Sequence, residues 1–149
     1  MPANSTTVTA GIRIDAAASY LPQESQPGNR RHVYAYRITM TNVGTAGDGD
    51  GSAVEGGSVR LLSRHWIIVD SEGRREEVRG RGVVGEYPRL AVGESYSYIS
   101  YCPLATTWGT MEGSYTFARE DGSKVQADVD RFFLVPTAPP LQLEAQKSS

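Results

Sequence analysis

The sequence predicts an all-β fold, an antiparallel β-sandwich of the fibronectin type III or immunoglobulin-like kind with about seven or eight strands. Short segments with strand-like patterns recur along the 149 residues, turn residues separate them, and no segment has the period of an amphipathic helix. Cys102 is the only cysteine, so the disulfide of an antibody domain is impossible. The fibronectin type is therefore the nearer comparison.

The N-terminal third contains two predicted strands joined by an irregular connection. Residues 8–14 are rich in β-branched side chains, which favour extended structure. Residues 33–43 show strict alternation, which is typical of a half-buried strand. The apolar positions of that alternation are Tyr34, Tyr36, Ile38 and Met40. Residues 19–31 contain prolines and polar runs, and they are predicted to connect the two strands.

Five further strands are predicted in the second half of the chain, from apolar runs or from alternation of apolar and polar residues. They cover residues 59–70, 74–78, 94–101, 111–118 and 124–135. The first of these is the most apolar and suits the centre of a sheet. The dipeptide Asp121-Gly122 predicts a hairpin between the last two.

The composition predicts one domain over residues 7–135, which is long enough to bury a sizeable core. Residues 1–6 are predicted to form a flexible N-terminus, and residues 136–149 a disordered C-terminal tail. Residues 44–57 consist largely of glycine and small polar residues. Such a segment cannot bury enough apolar surface to order itself, so it is predicted to be a flexible insertion.

The charge and the termini exclude several function classes. Acidic residues outnumber Lys and Arg by 17 to 15, so the net charge of −2 gives no basis for nucleic acid binding. The chain shows neither a signal peptide nor a membrane-spanning apolar run, and we expect a soluble cytoplasmic protein that does not bind membranes. A single cysteine cannot build a cysteine-based zinc site, and no cofactor is expected.

Residues 80–85 have the GxGxxG spacing of a dinucleotide-binding loop. That loop requires a buried parallel strand before it and a helix after it. Residues 76–79 are too polar for such a strand, and Pro88 prevents a helix from starting. The glycines are therefore predicted to serve turns, bulges or close backbone approach. The alternative is an anion-binding loop of backbone amides supported by Arg79, Arg81 or Arg89.

The segments LLSRHWII and GRGVVGEYPRL, followed by Gly93-Glu94 and GTMEGSY, make the sequence resemble the ApaG domain over residues 7–135. The resemblance implies a fibronectin-type sandwich with no established enzymatic activity. It also implies recognition of protein partners, as in multidomain relatives, and it brings in proposals of pyrophosphate binding and a link to divalent-cation tolerance. The chain departs from the family pattern at Thr107 and Asp130, where prolines are usual, and in the insertion.

Arg64 and His65 interrupt the apolar strand over residues 59–70. If Trp66 faces inward, so does Arg64, which predicts either a bulge or a polar group held near the core. Both side chains are expected to satisfy nearby carbonyls or a carboxylate, and contact with a ligand is the alternative. The candidate ligand- or partner-binding residues are Gly80, Arg81, Gly82, Gly85, Glu86, Arg64 and His65.

Two functions follow from these residues. The first is a non-catalytic domain that binds a protein partner of unknown identity through sheet faces, exposed aromatic residues or an edge strand, which also allows a homodimer. The second is a site for pyrophosphate or a nucleotide, with or without a divalent cation, at residues 80–86. No enzyme activity is predicted, because nothing in the spacing brings either histidine to a serine or to Cys102.

Overall fold

The computed structural model describes residues 2–44 and 57–141. Within them, nine strands form two antiparallel sheets that pack as a sandwich, which confirms the predicted fold class with one or two more strands than expected. In chain order the strands are β1 (Asn4–Thr9), β2 (Ile12–Tyr20), β3 (His32–Asn42), β4 (Val59–Asp70), β5 (Arg75–Arg81), β6 (Arg89–Leu90), β7 (Ser95–Leu104), β8 (Gly109–Arg119) and β9 (Lys124–Leu134).

The core lies between a sheet of order β1-β2-β3-β7 and a sheet of order β5-β4-β8-β9, with the short β6 also paired to β4. The alternation predicted in β3 is confirmed: its four apolar side chains at positions 34, 36, 38 and 40 are all buried. Trp66 of the opposite sheet meets Tyr36, Tyr115 and Phe132 edge to face, an arrangement that aromatic pairs favour. The inner faces of both sheets therefore carry the aromatic core.

The N-terminus differs from the prediction of one strand over residues 8–14. Ala10 and Gly11 both have positive φ, of 53° and 79°, and they turn the chain between β1 and β2. β1 begins at Asn4, three residues before the predicted start of the domain. The prediction missed β1 because its sequence, NSTTVT, offers little apolar alternation.

Hydroxyl groups attach β1 to the edge of β9. The Ser5 hydroxyl donates to the Asp130 carbonyl at 2.8 Å. The hydroxyls of Thr7 and Thr9 accept hydrogen bonds from the amides of Asp130 and Asp128, at 3.1 and 3.3 Å. These contacts cover β9, so the uncovered edges of the described sandwich are β7 on one sheet and β5, with β6 beside it, on the other.

The connection is predicted over residues 19–31, but Ser19 and Tyr20 belong to β2, so it covers residues 21–31 and contains two 3-10 turns at Pro22–Glu24 and Pro27–Asn29. These two turns are the only helical segments among the described residues, and neither is long or apolar enough to cross a bilayer. The predicted insertion over residues 44–57 lies almost entirely outside the described residues. So does most of the predicted C-terminal tail, from residue 142 onward.

Candidate functional site

Arg64 and His65 are separated onto opposite faces of β4. The register shifts between Leu61 and Ser63, which is the predicted bulge. Arg64 then lies on the same face as the buried Trp66, and its Nη1 donates to the carbonyls of Arg81 at 3.0 Å and Gly82 at 2.7 Å. The guanidinium thus binds the backbone of the glycine-rich segment where β5 ends.

Gly80 provides the space that this guanidinium occupies. A Cβ at Gly80 would lie 2.6 to 2.8 Å from the guanidinium atoms of Arg64. The two residues are also direct neighbours in the β4–β5 register. The first glycine of the motif therefore serves close approach of a side chain to the backbone, which is one of its predicted roles.

The remaining glycines shape a tight turn. Val83 and Glu86 exchange backbone hydrogen bonds of 2.9 and 2.7 Å around Val84 and Gly85, whose φ angles are 42° and 83°. Two central residues with positive φ define the primed type of hairpin turn. Gly82 has a φ of 64°, and a Cβ there would lie 2.6 Å from the Glu86 carbonyl oxygen. The motif is thus a turn, as the sequence predicts.

The backbone amides of this segment are largely engaged within the protein. The Gly82 amide donates to the Leu62 carbonyl at 2.9 Å, and the amides of Val83 and Glu86 bond each other's carbonyls. An anion-binding loop requires several amides directed at the ligand. The turn itself offers few such amides.

An open groove of about 420 Å³ beside β5, β4 and β8 brings together four of the seven candidate residues. It is lined by Arg64, His65, Gly80 and Arg81, together with Arg79, Gln126 and the hydroxyl-bearing Ser63, Ser114 and Thr116. We refer to it as the arginine groove. Gly82, Gly85 and Glu86 do not line it, so the structure divides the predicted set between this groove and the turn.

Glu77 lies beside the arginine groove and pairs with several cations. Its carboxylate is 3.6 Å from His65 Nε2, 3.5 Å from Arg79 and 2.8 Å from Arg75. Partial desolvation opposes ionisation, but the two guanidiniums and the imidazole outweigh it and lower the pKa of Glu77. Among the described residues no carboxylate pairs with Arg81, so that side chain is the available cation of the groove.

A model of the ApaG domain matches residues 22–119 of this sequence. The chain belongs to the ApaG domain family. Protein ApaG of Aromatoleum aromaticum is 43% identical over 123 residues, which cover 83% of this chain and 88% of the relative. Protein ApaG of Methylobacterium sp. is 44% identical over 126 residues, or 85% and 88% of the two chains. The crystal structure of an ApaA protein from Bordetella pertussis superposes with a TM-score of 0.75 at 34% identity, covering 92% and 98%.

The relatives confirm the resemblance and the fold. In this ApaG domain, the glycine-rich turn lies beside the space between β5 and β7. Val84, Glu86, Tyr96, Tyr98 and Ile99 line a space of about 490 Å³ between the turn and β7. Val84 is 55% exposed although it is aliphatic. The glycines therefore present an apolar side chain beside an uncovered strand edge.

The two uncovered edges differ sharply in charge. Five of the seven residues of β5, REEVRGR, are charged, and charged side chains on an edge discourage pairing with another strand. The ten residues of β7, SYSYISYCPL, include none. Sequence reasoning did not single out β7 or Val84, because the strand order that makes β7 an edge cannot be derived from local patterns. We define Val84, Ile99 and the uncovered backbone edge of β7 as the β7 surface.

In the described structure, the cysteine, both histidines and two of the tyrosines are buried or lie against neighbouring side chains. Cys102 is buried, and burial raises the pKa of its thiol to about 12, so the reactive thiolate is scarce at neutral pH. His65 faces Glu77, and His32 lies beside Tyr20. Tyr98 and Tyr115 bond each other through their buried hydroxyls, and burial raises the pKa of both.

Proposed function

We propose that this ApaG domain is a binding module that accepts an extended strand of a protein partner at the edge of β7. The observation that carries the proposal is the contrast between the edges: β7 has ten uncharged residues, whereas β5 is densely charged. Addition of a strand to a sheet edge gives affinity through backbone hydrogen bonds and specificity through alternate side-chain pockets.

The backbone of β7 has pairing capacity left. It pairs with β3 from His32–Leu104 to Thr41–Ser95, and no described strand lies on its other side. In an antiparallel strand, alternate residues direct their N–H and C=O groups away from the first neighbour. Pro103 lacks an N–H, so a partner strand would pair with the part of β7 that precedes it.

The turn adds side-chain contact to this edge. Val84 and Ile99 line the same space, and both would meet alternate side chains of an added strand. The positive φ of Val84 is costly for a β-branched residue, and such strain persists where the surrounding structure enforces it. Its position next to an open edge supports a role in partner contact.

A photo-crosslinking amino acid in place of Ser97, two residues before Ile99 in β7, is expected to form specific protein adducts in cells. The same amino acid in place of Glu76, on the charged β5 edge, is the matched control. Ile99→Lys combined with the Ser97 probe should reduce adduct yield about tenfold, because a charge on an edge opposes strand pairing. Mass spectrometry of the adducts would identify either another protein or a second copy of this chain. Equal adducts from both positions, or adducts insensitive to Ile99→Lys, would contradict the proposal.

A second candidate function is the binding of a small phosphate-containing anion in the arginine groove. It is favoured by the meeting of Arg79, Arg81 and His65 with three hydroxyl-bearing residues, and by the lack of a described carboxylate partner for Arg81. Guanidinium groups recognise phosphate oxygens in a fork geometry, and hydroxyls supply further donors. The site would therefore use side chains on the sheet rather than amides of the turn.

Titration with pyrophosphate, with and without magnesium, is expected to give saturable amide shifts centred on residues 79–82. Arg81→Gln should weaken the affinity by roughly tenfold or more, because one charge-assisted contact is lost. Arg75→Gln, on the same strand but outside the groove, should leave the affinity unchanged. Shifts that stay linear up to millimolar pyrophosphate would exclude this second function and leave the β7 proposal unaffected.

A further inference from the structure

A third groove lies where the connection over residues 21–31 packs against β3 and β7. Its volume is about 800 Å³, which is larger than that of the arginine groove or of the space beside Val84. Aromatic and aliphatic side chains form most of its wall, namely Tyr20, Leu21, Pro22, Val33 and Tyr101, and Pro140 from the C-terminal segment also lines it. We refer to it as the tyrosine groove.

The walls of the tyrosine groove are held in place by the fold. The Leu21 amide donates to the Val33 carbonyl at 2.9 Å, and the Val33 amide donates to the Ser25 hydroxyl at the same distance. The ring of Tyr20 packs on Tyr34, with centroids 5.1 Å apart. A preformed groove of this kind binds a peptide without first ordering itself, which favours affinity.

Tyr101 is a large aromatic residue on the face of β7 that points away from the core. It is 58% accessible, whereas Cys102 and Leu104 of the same strand face the core and are buried. An exposed tyrosine beside a second tyrosine gives a surface on which rigid apolar ligands pack while the hydroxyls remain in water. Proline rings are such ligands, and proline-rich segments dock in aromatic-lined grooves.

The chain itself places a proline in this groove. Residues 135–141 read VPTAPPL, and of these Pro140 contacts the groove while the half-buried Leu141 ends the described chain. Consecutive prolines favour the extended polyproline II conformation, because proline fixes φ near its value in that conformation. The aromatic and aliphatic wall of the groove thus suits the proline-containing segment that touches it.

We propose that the tyrosine groove binds a short proline-containing peptide, and that residues 139–141 of the same chain occupy it intramolecularly. A tethered segment competes with an effective concentration in the millimolar range, so an external peptide of equal intrinsic affinity is largely excluded until the segment is displaced. The groove meets β7 at Tyr101, two residues beyond Ile99, whereas the β7 surface is built on Val84 and Ile99, so this inference does not depend on the proposed strand addition.

The test uses the full chain and a fluorescent peptide of sequence VPTAPPL. The double variant Pro139→Ser/Pro140→Ser is expected to bind this peptide at least about tenfold more tightly than the wild-type chain, because the intramolecular competitor is lost. Fluorescence anisotropy measures the affinity. A peptide with both adjacent prolines replaced by serine, VPTASSL, should not bind either chain measurably.

Tyr101→Ser, added to the double variant, should abolish peptide binding. Tyr87→Ser is the matched control, because Tyr87 is also an exposed tyrosine, at 41%, but lies outside the groove. Circular dichroism confirms that each variant is folded. Equal affinity of the wild-type and double-variant chains, or binding that survives Tyr101→Ser, would overturn the proposal, as would the absence of saturable binding by the double variant.

Discussion

Gly113→Ala is expected to lower the free energy of unfolding by about 3 kcal/mol, because the added methyl group has no space between two central strands. Gly113 of β8 lies opposite Trp66 of β4. A Cβ at this position would overlap the carbonyl of His65 and come within 3.1 Å of the Trp66 Cα. Backbone atoms in a paired strand cannot rotate away as a side chain can, so β4 would have to move and carry Trp66 out of its aromatic cluster.

Urea denaturation followed by tryptophan fluorescence measures this loss, with the slope of the transition checked against the wild-type value. Gly28→Ala is the matched control, since nothing lies within 4 Å of a Cβ there and its φ is not positive. It should change stability by no more than about 0.5 kcal/mol. Similar small effects of the two substitutions would show that β4 and β8 are not closely apposed at Gly113.

The sequence was most informative where burial follows a simple period. Alternation in β3 predicted its inner face, and the apolar residues on both sides of Arg64 and His65 gave β4 its bounds, residues 59 to 70. The first strand escaped prediction for the opposite reason. β1 is attached to β9 through serine and threonine hydroxyls, and such bonds leave no apolar pattern in the sequence.

The candidate site was predictable only in part. Pro88 showed that the glycines could not open a helix, and the position of Arg64 relative to Trp66 predicted either a bulge or a polar group held near the core, of which the register shift in β4 is the first. The sequence could not show that Arg64 bonds the glycine-rich segment, because that contact depends on the register between β4 and β5. It could not identify the uncovered edges either, since these follow from the order of strands in each sheet.

Arg64→Ala is expected to destabilise the domain by about 3 kcal/mol, because two hydrogen bonds from a charged donor are lost together. The carbonyls of Arg81 and Gly82 would lose this donor, and Gly82 is a buried residue. A hydrogen bond lost with its acceptor still buried costs more than one lost with both partners. Denaturation in urea gives the total effect, and hydrogen exchange at the amides of Gly82 and Val83 reports whether the loss is centred on the turn.

Arg60→Ala is the matched control, because Arg60 is an exposed arginine of the same strand and should contribute less than about 0.5 kcal/mol to the free energy of unfolding.

The Arg64 variant also links the turn to the proposed function. If Arg64 fixes the backbone that presents Val84 to β7, Arg64→Ala should reduce crosslinking from position 97 even under conditions where the variant is fully folded. Faster exchange at Gly82 with undiminished crosslinking would instead show that β7 binds its partner without help from the turn.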